Sequence, residues 1–168
     1  MPAIERQITI DASPEQVFGY LSDITRHPEW AGHKLEVKRA SGGSVEAGSS
    51  FETVGHQFGA QPGAVTVTEL VPNQKIVYES DGPVGHFRHQ FLMQSEGGGV
   101  RLTKSMEPLK VSSLPLKVLG PLVRSVIAPR GLDGDLKRIK ANLEGASAAE
   151  APAEPPPEPS AGDGEEDA

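Results

Sequence analysis

The rhythm of apolar positions changes three times along the chain, and each change marks a different element. Ile4, Ile8 and Ile10 punctuate a polar stretch and predict a first short strand. At Ser13-Pro14-Glu15-Gln16 a helix should begin. Ser13 can cap it, Pro14 suits its first position, and Gln16 can complete a capping box. Val17, Phe18, Leu21 and Ile24 then recur at helical spacing and supply an inward face. Thr25 to Trp30 should add a brief second helix or turn, because His27-Pro28 interrupts anything longer.

From Lys34 onwards the period drops to two. Lys34–Arg39, Ser50–Phe58, Ala64–Val71, Lys75–Ser80, Val84–Gln94 and Val100–Glu107 read as strands. Between them stand turn residues: Ser41-Gly42-Gly43-Ser44, Gln61-Pro62-Gly63, Pro72-Asn73, Asp81-Gly82-Pro83 and Glu96 to Gly99. With the first strand this makes seven, linked mostly by hairpins, so the sheet should be antiparallel. The glycine clusters at 42–43 and 97–99 lack phosphate-loop spacing and lead into no helix, so they are expected to be plain turns.

Helical spacing returns in the stretch from Leu114 to Glu144. Its first part is apolar (Leu114, Leu116, Val118, Leu119, Leu122, Val123, Val126, Ile127), and its second repeats Leu132, Leu136, Ile139 and Leu143 at steps of four, three and four. Lys137, Arg138 and Lys140 fall in the last turns, where a helix end favours cations. A long striped helix after a run of strands needs a sheet to lie on. Pro121 and Pro129, with Gly120, Gly131 and Gly134, should break its apolar first portion into a separate turn or a kink, leaving the regular helix strongest after Leu132.

Charge divides the chain. Residues 145–168 hold seven acids and no Lys or Arg, and of the overall −7 nothing remains for residues 1–144, where 16 acids meet 16 basic residues. The last stretch has no aliphatic larger than alanine and is expected to be a disordered acidic tail behind a single domain of residues 1–144. A neutral domain has no excess charge to steer it towards nucleic acid. There are no cysteines, which removes disulfides and thiolate chemistry. The start MPAIERQITI lacks the pattern of a secretory signal, and no apolar run reaches the roughly 20 residues of a membrane span, so a cytoplasmic location is expected.

The order of these elements resembles the START-related SRPBCC superfamily, particularly its polyketide cyclase/dehydrase and lipid-transfer branch. The resemblance is carried by Ile8-Thr9-Ile10-Asp11-Ala12-Ser13-Pro14-Glu15-Gln16-Val17-Phe18, Leu21-Ser22-Asp23, the Pro28-Glu29-Trp30 turn, Val67-Thr68-Glu69-Leu70-Val71-Pro72, Phe91-Leu92-Met93, Gly98-Gly99-Val100-Arg101-Leu102-Thr103, and the ending from Asp135 to Glu144. It implies an α+β helix-grip fold: a curved seven-stranded antiparallel sheet around a long C-terminal helix, with two short helices after strand 1 and an apolar cavity between. No cofactor is expected.

Alternation along Val84–Gln94 puts Phe87, His89, Phe91 and Met93 on one face, the more apolar one, and Tyr78 joins Ile76 on the inner side of its strand. The expected cavity lining is Trp30, Val67, Ile76, Tyr78, Phe87, His89, Phe91, Met93, Leu122 and Val126. His89 and Tyr78 are its polar members, able to orient a ligand or, in an acid/base enzyme, to act as base and donor. His86 and His89 lie three apart and should face opposite ways, and with His56 distant in sequence no metal site is expected. The favoured function is binding or transport of a hydrophobic small molecule such as a lipid, quinone or polyketide, and the alternative is a cyclase/dehydratase-type enzyme. The segment Leu114 to Ile127, with Lys117 and Arg124, is also suited to transient membrane contact. Oligomeric state cannot be read from these patterns.

Overall fold

The computed structural model describes residues 3–40, 42–56, 59–114 and 118–150. The chain opens with β1 (Ile4–Ile10), α1 (Pro14–Ser22), a 3-10 turn (Ile24–Arg26) and the single turn α2 (His27–Trp30). Six strands follow: β2 (Leu35–Arg39), β3 (Ser50–Gly55), β4 (Gln61–Val71), β5 (Lys75–Gly82), β6 (Gly85–Glu96) and β7 (Gly99–Val111). They form one antiparallel sheet in the order β1-β7-β6-β5-β4-β3-β2. After it come a helical turn α3 (Gly120–Leu122), a wide π turn (Val123–Ile127) and the 23-residue α4 (Ala128–Glu150). This is the helix-grip arrangement expected from the sequence, with α4 packed chiefly on β1.

Local chemistry accounts for most boundaries. Ser13 accepts from the Gln16 amide while the Gln16 side chain accepts from the Ser13 amide, so the capping box at α1 is complete. The buried face of α1 and the turn after it is Val17, Tyr20, Leu21 and Ile24; Phe18, expected inward, is only partly buried, and the Tyr20 ring takes its place in the core. Gly97 and Gly98 both hold positive φ (59° and 93°) in the β6–β7 turn, which is why glycine stands there.

One expectation needs correction. Gln61-Pro62-Gly63 is not a turn but the start of β4, with Pro62 opposite Val54 of β3. Pairing of β4 with β5 begins only at Ala64, so the missing Pro62 N–H costs no ladder bond on that side. The break expected around Pro121 and Pro129 is present as the turn α3 and the wide π turn, and the regular helix follows from Ala128 with Pro129 as its second residue. The wide turn before it has a cause: the Ala128 N–H bonds the Val123 carbonyl five residues back, which relieves the clash that Pro129 would make with a tighter turn. Helix α4 also runs past Glu144 to Glu150, into residues assigned to the acidic tail; residues 151–168 lie outside the described ones.

The core lies between sheet and α4. Ile10, Val17, Leu21, Ile24, Trp30, Phe51, Val67, Ile76, Tyr78, Phe91, Val100, Leu102, Leu136 and Ile139 are all buried in it.

Candidate functional site

Alternation along β5 and β6 sets the site. Tyr78 and His89 are directly opposite each other, as are Ile76 and Phe91, and all four point inwards. His86 points the other way, onto Glu79, which also holds Arg88. His86 and His89 are therefore on opposite faces of one strand, as their spacing predicted.

The inner face gathers rings. The Tyr78 and His89 rings stack with centroids 4.8 Å apart, and His27 of α2 stacks on Trp30 at 4.0 Å while presenting its edge to Tyr78 at 5.8 Å. Trp30 meets Phe91 edge-on at 5.7 Å. The His89 Nε2 shares a hydrogen bond of 3.0 Å with the Ser80 hydroxyl. Three atoms among these rings are buried without any hydrogen-bond partner: the Tyr78 hydroxyl, His89 Nδ1 and His27 Nδ1. An unsatisfied buried polar atom costs about 1–3 kcal/mol, so three around one cluster is a large local penalty.

Burial fixes their protonation. It pushes the Tyr78 phenol far up, so the hydroxyl keeps its proton. It pushes His89 down to about 3, assisted by the nearby Lys104 cation, and it lowers His27 well below its ordinary value. Both imidazoles are neutral at pH 7.

Beneath the rings sits a buried cation absent from the sequence-based candidates. Lys104 of β7 is only 3% exposed; its ammonium lies 2.5 Å from the Asp135 carboxylate of α4 and 4.6 Å from the Trp30 ring centroid. Burial lowers its pKa, opposed by Asp135. The second Asp135 oxygen accepts from Arg138, whose Nε donates to the Trp30 carbonyl, so the pair also ties α2 to α4. The signal was readable: Val100, Leu102, Lys104 and Met106 share one phase of β7, and a lysine in an otherwise apolar phase marks a buried charge. Arg39, on the inward phase of β2, has a buried Nε without a partner and its guanidinium carbon 5.8 Å from the Phe51 ring.

Of the ten residues expected to line a cavity, Trp30, Val67, Ile76, Tyr78, Phe91 and Met93 are closely buried together. Phe87 and His89 keep partial access, as do Ser80 and Met106 beside them. Val126 is half-buried, and Leu122 is 50% exposed; the wide turn carries Leu122 away from the core. A separate shallow cleft of about 500 Å³, lined by Pro62, Gly63, Ala64, Asp81, Gly82 and Pro83, is open to solvent and holds none of these groups.

Solved structures with this architecture are many. The ZhuI aromatase/cyclase from Streptomyces sp. R1128 superposes with a TM-score of 0.72 at 15% identity, covering 89% of this chain and 98% of that one. A START superfamily protein from Mycobacterium smegmatis gives 0.71 at 16% identity, covering 86% and 98%. TTHA0849 from Thermus thermophilus gives 0.70 at 16%, covering 87% and 99%. At such identities the likeness establishes the fold alone. No curated protein is similar to the chain in sequence. The family model described as polyketide cyclase / dehydrase and lipid transport matches residues 1–144, almost the whole described chain, and the protein belongs to that family.

Proposed function

We propose that this protein binds an apolar small molecule between its sheet and α4, with one polar group of the guest held by Tyr78, His89 and His27. The observation that carries this reading is the set of three buried, unpartnered polar atoms within a cluster of aromatic rings. A protonated phenol donates, and two neutral imidazoles can each donate or accept, so a carbonyl, hydroxyl or quinone oxygen would be matched without a charge. The accessible edge at Phe87, His89 and Met106 is the proposed way in.

The acid/base alternative has less support. An efficient general base needs a pKa near working pH, and His89 is held near 3 by burial. A cyclase reading comes from family membership and from the aromatase/cyclase neighbour. A fold alone does not carry an activity.

Native mass spectrometry of the protein purified from cells tests the reading, joined to titration with the fluorescent probe 1-aminoanthracene. A co-purified hydrophobic molecule or saturable probe binding is expected. Tyr78→Phe, which removes one hydroxyl and no ring, should weaken binding about tenfold. Protein that carries nothing and leaves the probe dark would overturn the proposal, as would unchanged probe affinity in Tyr78→Phe.

A further inference from the structure

The large apolar side chains left exposed are concentrated in one place. Leu114, Val118, Leu119, Leu122 and Ile127 are each 50–71% exposed, and Leu109, just ahead of them, is 39% exposed. They are the exposed large hydrophobics among the described residues, and all six precede α4. The helical turn α3 and the π turn run on into α4 as one stretch, and these side chains stand outside the buried core. Such a concentration of uncovered apolar surface marks a contact site.

Charge says what kind of contact. Between Glu107 and Asp133 there is no acid, while Lys110, Lys117, Arg124 and Arg130 contribute four cations. The whole chain carries −7, so this stretch is of opposite sign to the rest. Apolar residues interleaved with cations, without acids, are the composition of a segment that lies in the interface of an anionic bilayer. A second copy is a poorer occupant, because a two-fold interface would set the same cations against each other. The acidic residues 151–168 could neutralise the cations but bring no aliphatic larger than alanine to cover the leucines. No helix among the described residues is long and apolar enough to cross a membrane, so the contact would lie on the surface.

We propose that the segment from Val118 to Arg130 docks this protein on an anionic lipid surface, with Leu119 and Leu122 entering the headgroup region. The proposal stands apart from the interior site, since it rests on exposed residues that the proposed guest does not touch.

Co-sedimentation of the full chain with phosphatidylcholine vesicles, with and without phosphatidylserine, tests it. Binding is expected on the phosphatidylserine vesicles, weaker binding on phosphatidylcholine alone, and a loss with added salt. Leu119→Glu together with Leu122→Glu should lower vesicle binding about tenfold or more, because two apolar side chains lose their burial and two anions face an anionic surface. The thermal midpoint should hold, both positions being half exposed. No binding to either vesicle would overturn the proposal, as would binding indifferent to the double substitution. A concentration-dependent dimer that the substitutions dissolve, in a protein without vesicle affinity, would give the face to a second copy. Binding that appears only after residues 151–168 are removed would give it to them. Both results also reject the proposal as stated.

Discussion

His89 shows how much a single side chain's surroundings decide. Alternation was enough to point it inwards and to pair it with the phase of Phe87, Phe91 and Met93. What alternation could not give is the ring of Tyr78 stacked on it or the Ser80 hydroxyl on its Nε2, because cross-strand partners depend on register. The consequence is a measurable pH dependence. In the unfolded chain a histidine titrates near 6.5, whereas in the fold His89 stays neutral down to about 3. Between these values the unfolded chain binds a proton that the native one refuses. Stability is therefore fully present above about pH 6.5 and falls as the pH drops towards 3, by up to about 1.4 kcal/mol per pH unit. His27, lowered by burial in the same sense, adds to the fall. Denaturant unfolding at a series of pH values should show His89→Gln with a slope smaller by one proton over this window. Equal slopes in the two proteins would mean that the folded His89 is already charged.

Between elements, the coupling of β7 to α4 was the least legible feature. The helix stripe of Leu132, Leu136, Ile139 and Leu143 was plain, and all four are buried as that stripe requires. Asp135, one position before Leu136, gave no local sign that it turns inwards, since its partner Lys104 lies 31 residues away. Nor could the wide turn be read: Pro121 and Pro129 announced an irregularity, but its form depends on which carbonyl the Ala128 amide reaches. The Lys104–Asp135 pair gives α4 a fixed seat, and its energetics are asymmetric. Removing one partner leaves a buried charge without its counterion, which costs about 3–5 kcal/mol, whereas replacing both by apolar groups is often neutral. Asp135→Asn should therefore destabilise the protein by about 3 kcal/mol in urea unfolding, because Lys104 is almost wholly buried. Lys104→Met combined with Asp135→Leu should recover most of that loss, the Arg138 guanidinium being free to hydrate at its half-exposed site. A double substitution no better than the single one would show that the charges hold α4 in place, beyond offsetting one another.

At the scale of the molecule, the sheet joins the two ends of the chain. Hairpin spacing made β2 to β7 neighbours in order, but that β1 pairs with β7, Ile4 opposite Met106 and Ile10 opposite Val100, follows from no local turn. This closure brings α4 onto β1, where Lys140 donates to the Thr9 carbonyl and Glu144 accepts from the Asp11 amide. Elements that share so many long-range partners should open together and only with the whole fold. In the stretch from Val118 to Ile127, by contrast, Val118, Leu119, Leu122 and Ile127 are exposed and Val123 and Val126 are only partly buried. Local opening there should cost close to nothing, against the full unfolding free energy, typically about 5–15 kcal/mol, for the core strands. Native-state amide exchange is expected to be slowest in β1, β6, β7 and the Leu132–Leu143 turns of α4, and faster by orders of magnitude in residues 118–127. Anionic vesicles should slow exchange in that segment alone, because docking covers it without touching the core. Protection of the segment equal to that of α4 in the free protein would instead mean that it is seated on the sheet, and the uncovered surface proposed for lipid contact would not exist in solution.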